Sequence, residues 1–312
     1  MNEQFATVNT DITLCYEEFG DRTDPTVLLV MGLATQMLAW DERFCLQLVE
    51  RGFHVVRFDN RDVGRSTKIA TPPTRPPTLK QMALRDRKAA AYTLSDMADD
   101  AVGLLDHLDV RRAHVVGASM GGMIAQTIAI EYPERVSSLV SIMSNEGGRL
   151  KGQPQLTVYP VLLRRAPNDR EAYAEHAVGV LKLIGSPDFP FDAEAVKERA
   201  RIGFDRGVSA AGAGRQLMAV LASPNRTAGL RRLRVPTAVI HGTRDRLVNK
   251  SGGRTVAAAV PDAILLEIEG MGHDLPPGTW PRIVDAIATN AARAVSDRRL
   301  RRSDNQQHDH EQ

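Results

Sequence analysis

The sequence predicts an α/β fold in which a mostly parallel central sheet is flanked by helices. Short apolar runs alternate with longer stretches of helical periodicity, which is the pattern of βαβ units. Most of these runs are apolar at every position, which is typical of parallel strands covered by helices on both faces. A chain of 312 residues can form one large α/β domain that carries an insertion.

Six apolar runs are predicted to form the parallel part of the sheet. They are Thr26–Met31, Val55–Phe58, Ala113–Gly117, Leu139–Met143, Thr237–His241 and Ile264–Ile268. Ahead of them, Asp11–Phe19 alternates polar and apolar residues. This alternation indicates an antiparallel hairpin at the edge of the sheet.

Helices are predicted between and after these strands, at Asp41–Arg51, Ser95–Leu108, Met120–Tyr132, Gly252–Val260 and Pro281–Val295. Ser95 is followed by several acidic residues. It is therefore the predicted N-cap of its helix, because carboxylates in the first turn favour the positive end of the helix dipole.

The alternation of strand and helix stops between residues 147 and 232, where the patterns are helical. We therefore expect a core made of 1–146 and 233–295, with 147–232 inserted as a helical cap. Prolines exclude regular structure from the loop at 68–78. Residues 296–312 are polar and charged, which predicts a disordered tail.

Composition excludes several classes of protein. Forty basic and 38 acidic residues leave a net charge of +2, which argues against a nucleic-acid partner. No apolar run approaches the roughly 20 residues of a membrane helix, and no signal peptide is visible. Two cysteines form neither a disulfide framework nor a zinc-ligand spacing, so a reduced cytoplasmic setting is expected. Oligomeric state is left open.

One motif stands out at the end of the predicted strand at Ala113–Gly117. The segment 117–121 reads Gly-Ala-Ser-Met-Gly, a G-x-S-x-G pattern at a strand-to-helix turn. Such a turn holds the serine hydroxyl above the sheet edge, and its glycines allow strand and helix to approach closely. A glycine-rich turn that only packs closely is the structural alternative. The strand before Ser119 and the helix after it favour a nucleophile.

A serine nucleophile needs a base, and the base needs a carboxylate that orients it. Of the eight histidines, only His273 follows the last predicted strand on a glycine-rich loop at the same sheet edge as Ser119. Asp245 follows the preceding strand, which gives the chain order Ser, Asp, His. Turn capping is the alternative role for Asp245, and Glu146 is the alternative acid.

Backbone N–H groups must also stabilise the negative oxygen of the tetrahedral intermediate. Met120, the residue after Ser119, is expected to supply one donor. Leu33 is expected to supply the other, because Gly32 permits a tight turn just after the first parallel strand. Gly32 could instead simply end that strand.

The chain resembles the α/β-hydrolase superfamily over about residues 10–295. The segments VMGLATQMLAW, VVRFDNRDVGRST, HVVGASMGGMIAQ and EIEGMGHDLP look like those of the branch containing bacterial LipG-type lipase/esterases and anthracycline methyl esterases. This resemblance implies the α/β-hydrolase fold, a triad of Ser119, Asp245 and His273, and oxyanion donors at Leu33 and Met120. Many relatives have His-Gly where this chain has Met31-Gly32. Asp59, Arg61, Gly64 and Ser66 match a frequent DxRxxGxS segment, interpreted as structural.

The expected function is therefore hydrolysis of small-molecule carboxylic esters through an acyl-serine intermediate, without metal or cofactor. An apolar acyl or alcohol part is expected to contact side chains from the candidate set Met37, Trp40, Met123, Leu162, Val180 and Leu217. Two alternatives remain open. One is another serine-triad reaction, such as thioester, lactone or carbon–carbon hydrolysis or perhydrolysis; the other is a ligand receptor without turnover.

Overall fold

A computed structural model of the chain describes residues 2–70, 90–162 and 166–294, without the side chains of 161 and 162. Its centre is an eight-stranded sheet with the strand order β1-β2-β4-β3-β5-β6-β7-β8. Strand β2 pairs antiparallel with β1 and β4, and every other pairing is parallel. The strands are β1 (Gln4–Asn9), β2 (Ile12–Phe19), β3 (Thr26–Val30), β4 (His54–Phe58), β5 (Ala113–Ala118), β6 (Val136–Ile142), β7 (Thr237–Gly242) and β8 (Ile264–Ile268).

Helices cover both faces of the sheet. They are α1 (Glu42–Val49), α2 (Leu94–His107), α3 (Met120–Glu131), α4 (Tyr159–Leu162), α5 (Arg170–Ile184), α6 (Ala193–Arg206), α7 (Ala210–Ala222), α8 (Thr227–Leu230), α9 (Ser251–Ala259) and α10, which covers 280–294. Successive residues of a strand point to opposite faces. Accordingly, Leu28 belongs to the core formed with α2, α3 and α9, and Leu29 to the core formed with α1 and α10.

The predicted parallel sheet, its six strands and the edge hairpin are confirmed. Two details of the prediction are wrong. Strand β8 is only partly buried, since 45% of Ile264 and 37% of Leu265 are exposed while Ile268 at its end is buried; the strand is the last in the described sheet. Helix α2 is capped by Thr93 rather than Ser95, because the Thr93 hydroxyl and the Asp96 carboxylate each accept a hydrogen bond from the other residue's backbone N–H.

The inserted segment (residues 147–232) lies between β6 and β7 and contains α4 to α8. Its described residues include no strand, as the sequence predicts. Helices α5 and α6 pack against each other through Tyr173 and Phe204, whose ring centroids are 5.6 Å apart. The predicted disordered tail and residues 71–78 of the proline-rich loop lie outside the described residues.

Two buried ion pairs join the inserted segment to the loop that follows β4. Arg206, at the end of α6, contacts Asp59 at 2.8 Å, and Arg215 of α7 contacts Asp62 at 2.6 Å. All four side chains are almost completely buried. Within the described ranges, no helix is long and apolar enough to span a bilayer.

Candidate active site

Ser119 occupies the turn between β5 and α3 in a left-handed backbone conformation, with φ of +57°. A non-glycine residue adopts this conformation only where its surroundings enforce it. The flanking glycines are required by space: a Cβ on Gly117 would lie 2.0 Å from the carbonyl oxygen of Gly121, and one on Gly121 would lie 2.1 Å from that of Val30. The turn therefore fixes the serine hydroxyl above the carboxyl edge of the sheet.

Ser119, His273 and Asp245 form a continuous chain of hydrogen bonds. Nδ1 of His273 lies 2.7 Å from Oδ2 of Asp245, and its Nε2 lies 2.9 Å from Oγ of Ser119. Because a carboxylate accepts only, Nδ1 carries the proton and Nε2 presents its lone pair to the serine hydroxyl. This tautomer is the one that removes a proton from serine.

The carboxylate of Asp245 is buried and held on both oxygens. Oδ1 accepts from the backbone N–H groups of Leu247 at 2.9 Å and Val248 at 2.8 Å, while Oδ2 faces His273. Burial by itself raises the pKa of Asp245. The attraction of His273 and the hydrogen bonds from His241 and His273 outweigh burial and lower the pKa to about 2. The carboxyl group is therefore ionised at any pH near neutrality.

His241 is a neighbour of this carboxylate that the sequence did not single out. Its Nε2 lies 2.8 Å from the carbonyl oxygen of Val248 and 3.4 Å from Oδ2 of Asp245. The imidazole is completely buried, and its Nδ1 has no hydrogen-bond partner among the described residues. From sequence, His241 was only a histidine at the end of a strand, with no sign that β7 turns it towards Asp245.

The two expected oxyanion donors have free amides. Among the described residues, neither the N–H of Leu33 nor that of Met120 donates to an acceptor. Gly32 packs directly against the serine, since a Cβ there would lie 3.1 Å from Cβ of Ser119. The Leu33 loop and the first turn of α3 therefore flank the hydroxyl, and both amides are available to a ligand.

Glu146, the alternative acid, does not make the contact with His273. Asp245 makes the contact with Nδ1 of His273, while Oε2 of the buried Glu146 has no partner among the described residues. Asp274, next to the base, instead accepts a hydrogen bond from the Ser186 hydroxyl. Burial raises the pKa of Asp274. No cluster of His, Cys, Asp or Glu in the described parts of the chain could hold a metal ion.

The residues predicted to contact the substrate differ in how deeply they are buried. Met37, Trp40 and Met123 are buried, and Trp40 stacks on Phe44 at 5.5 Å within the core. Leu217 of α7 is partly exposed, as is Val180 of α5. The side chain of Leu162 lies outside the described ones. A role in substrate contact stays a prediction for this set, and its partly exposed members, Leu217 and Val180, are the ones to test.

Comparison with known proteins identifies the same architecture. A sequence profile of the family described as alpha/beta hydrolase fold matches residues 25–276. A rhodomycin D methylesterase of Streptomyces peucetius is 28% identical, and the alignment covers 92% of this chain and 97% of the esterase. A 3-oxoadipate enol-lactonase of Acinetobacter baylyi is 23% identical over 89% of this chain and 93% of its own.

Solved structures show the same similarity. A hydrolase from Pseudomonas aeruginosa PA01 superimposes with a TM-score of 0.68 and 26% sequence identity. The superposition covers 94% of this chain and 98% of that hydrolase. The fold and the order of its elements are therefore shared over almost the whole length of both chains.

Proposed function

The chain belongs to the α/β-hydrolase family, and on that premise we propose that it hydrolyses carboxylic esters through an acyl-serine intermediate. The observation that carries this proposal is the hydrogen-bonded chain from Ser119 through His273 to Asp245, with distances of 2.9 and 2.7 Å. A serine hydroxyl becomes an effective nucleophile only when a base accepts its proton. This geometry supplies the base and the group that orients it.

The proposed reaction has two halves. In the first, Oγ of Ser119 attacks the ester carbonyl carbon while Nε2 of His273 takes the hydroxyl proton. Collapse of the tetrahedral intermediate breaks the bond to the alcohol, which leaves with that proton. In the second half, His273 takes a proton from water, the resulting hydroxide attacks the acyl-serine, and Ser119 regains its proton as the acid leaves.

The amides of Leu33 and Met120 are proposed to bind the negative oxygen of both tetrahedral intermediates. Their lack of an acceptor among the described residues supports this role, because an N–H that already donates cannot stabilise a new charge. Ionised Asp245 stabilises the imidazolium that forms in each half. Oxyanion donors of this kind contribute about 10²–10³ in kcat.

We propose methyl esters of carboxylic acids as the first substrates to test. The basis is the rhodomycin D methylesterase relative, which aligns over 92% of this chain. Lactone hydrolysis is the second candidate, on the basis of the enol-lactonase relative; the same serine attack opens a ring instead of releasing an alcohol. Release of methanol from a methyl ester and ring opening of a lactone are measured in separate assays.

The inserted segment is proposed to be a cap over the site, with 1–146 and 233–295 as the core. Two contacts support this arrangement. The backbone N–H of His273 donates to the carbonyl oxygen of Ile184, at the end of α5, at 2.7 Å. Gln216 of α7 accepts a hydrogen bond from the backbone of Ala34, in the Leu33 loop. A cap in this position would form part of the substrate pocket and exclude water.

Active-site labelling tests the proposed chemistry. The full-length protein is incubated with a fluorophosphonate, and its intact mass and the modified peptide are determined. We expect one phosphonate per chain, attached to Ser119, together with loss of p-nitrophenyl acetate hydrolysis in proportion to labelling. Absence of turnover with full binding of esters would indicate a receptor instead.

A cytoplasmic location also stays a proposal. Both cysteines are free and buried, which is compatible with a reducing compartment.

A further inference from the structure

The loop that carries Leu33 is held in part by the inserted segment. The backbone N–H of Ala34 donates to Oε1 of Gln216 at 2.7 Å. The side-chain amide of Gln216 then donates to the carbonyl oxygen of Arg61 at 2.8 Å. Gln216 is completely buried, so both its amide atoms are used where water cannot replace them.

Ala34 adopts a left-handed conformation, with φ of +54°. This is a strained state for a residue with a Cβ, and it persists only where the surroundings enforce it. The hydrogen bond from Ala34 to Gln216 fixes the peptide plane between Leu33 and Ala34. With that plane fixed, the adjoining peptide, which carries the Leu33 N–H, has less freedom to rotate.

A second set of contacts holds the other end of the loop. The side-chain amide of Gln36 donates to the carbonyl oxygen of Gly203 at 2.6 Å, and its oxygen accepts from Arg206. Arg206 also pairs with Asp59, whose Oδ1 accepts from the backbone N–H of Met37 at 2.8 Å. The loop from Leu33 to Met37 is thus contacted by α7 at Ala34 and by α6 at Gln36, and Asp59, the partner of Arg206, holds Met37.

We propose that Gln216 is a positioning residue for the oxyanion hole and that the inserted segment aligns the Leu33 amide for catalysis. This inference rests on the proposed function. A rigid N–H donor stabilises the transition state more than a mobile one, because it need not reorient when negative charge develops on the substrate oxygen. Loss of Gln216 therefore weakens binding of the transition state while substrate binding by the rest of the pocket is retained.

The test is a kinetic comparison of Gln216→Met with the wild type and a matched control. Methionine has a similar length and makes neither hydrogen bond. Gln126→Met is the control, because Gln126 is also completely buried and its side chain also makes two hydrogen bonds away from the Leu33 loop: it donates to the Ser141 hydroxyl and accepts from Arg226. Circular dichroism and fluorophosphonate end-point labelling establish the folded, active fraction of each variant.

For Gln216→Met we expect kcat for p-nitrophenyl acetate to fall about tenfold to hundredfold with KM changed less than threefold. The inhibition constant of a trifluoromethyl ketone, which forms a tetrahedral oxyanion on the serine, should rise by the same factor as kcat/KM falls. Gln126→Met should keep both values near those of the wild type. Gln216→Glu keeps an oxygen that accepts from Ala34 and should recover part of the lost kcat.

Three results decide the matter. Unchanged kcat in folded Gln216→Met, or equal loss in Gln126→Met, overturns the positioning role while ester hydrolysis stands. Wild-type turnover that survives Ser119→Ala overturns the proposed function and this inference with it. If Gln216→Met does not fold, Gln216→Asn is used, since its shorter side chain cannot reach both partners, and the same kcat loss or its absence is decisive.

Discussion

The hydroxyl of Ser119 lies 2.9 Å from Nε2 of His273, although 154 positions of sequence separate the two residues. Ser119 follows β5 and His273 follows β8, and two strands stand between these in the sheet. The loop after β8 closes that gap, held by the hydrogen bond from the His273 N–H to Ile184. This contact therefore depends on the sheet order and on the inserted segment.

Replacement of Ser119 tests the nucleophile. Ser119→Ala should lower kcat on the order of 10⁴–10⁶-fold, because no other described group takes its place at Nε2 of His273. Urea unfolding should change little, since only a partly exposed hydroxyl is removed. The control is Ser144→Ala, which removes another serine hydroxyl near this sheet edge that is buried and has no hydrogen-bond partner among the described residues. Retention of more than a few per cent of activity by Ser119→Ala would reject the assignment.

Replacement of the acid tests the choice between Asp245 and Glu146. Asp245→Asn removes the charge that stabilises the imidazolium and favours the wrong histidine tautomer, so kcat should fall by about 10³–10⁴. The loss should be smaller than that of His273→Ala, because Asp245 exchanges no proton with the substrate. Glu146→Gln should leave kcat within about threefold of wild type, and the reverse ranking of these two variants would transfer the role to Glu146.

The depressed pKa of Asp245 gives a prediction about stability and pH. Its folded-state pKa of about 2 lies below the ordinary value of 3.8, so ionised Asp245 stabilises the folded chain above pH 3.8. That contribution, about 2 kcal/mol, is lost as pH falls towards 2. Urea unfolding of wild type and Asp245→Asn from pH 7 to 2.5 should show a stability difference that shrinks over this interval. A constant difference would contradict the depressed pKa.

The buried pair of Arg215 and Asp62 gives a prediction about attachment of the inserted segment. Asp62→Asn leaves the Arg215 guanidinium buried opposite a neutral group and should cost about 3–5 kcal/mol of unfolding free energy. The pair of exposed Arg254 and partly exposed Glu267 provides the matched comparison, and Glu267→Gln should cost much less, because water screens this pair. Similar losses in the two variants, measured by urea unfolding, would show that the first pair is not desolvated.

Leu217 gives a prediction about substrate preference. Leu217→Gln replaces a partly exposed apolar side chain of α7, so the ratio of kcat/KM for eight-carbon over two-carbon p-nitrophenyl esters should fall about tenfold, the equivalent of roughly two methylene contacts. The control is Leu150→Gln, since Leu150 also belongs to the inserted segment but is 89% exposed. An unaltered ratio in Leu217→Gln would mean that selectivity lies in other loops.

The sequence by itself determined the sheet and the turn that carries Ser119. Runs of apolar residues identify buried parallel strands, and the spacing of Gly117, Ser119 and Gly121 identifies the turn. Gly117 is required by its contact with Gly121, four residues on, and Gly121 by its contact with Val30 on the neighbouring strand β3. Patterns of this kind are recognised over one turn or one strand. The same rules failed at Ser95, because Thr93 one position before the helix makes the capping box, and at β8, because its place at the sheet edge exposes it.

Only the tertiary structure decided which distant side chains meet. Asp245 rather than Glu146 reaches His273, and His241 lies against the same carboxylate, because β7 and its turn direct both side chains there. Gln216 was an ordinary glutamine in a helical pattern, with no motif around it. Its contact with Ala34 spans 182 positions and depends on how the inserted segment packs against the core, where two buried ion pairs also join them. A hydrogen bond of this range follows from the packing of whole elements, which short-range sequence patterns do not encode.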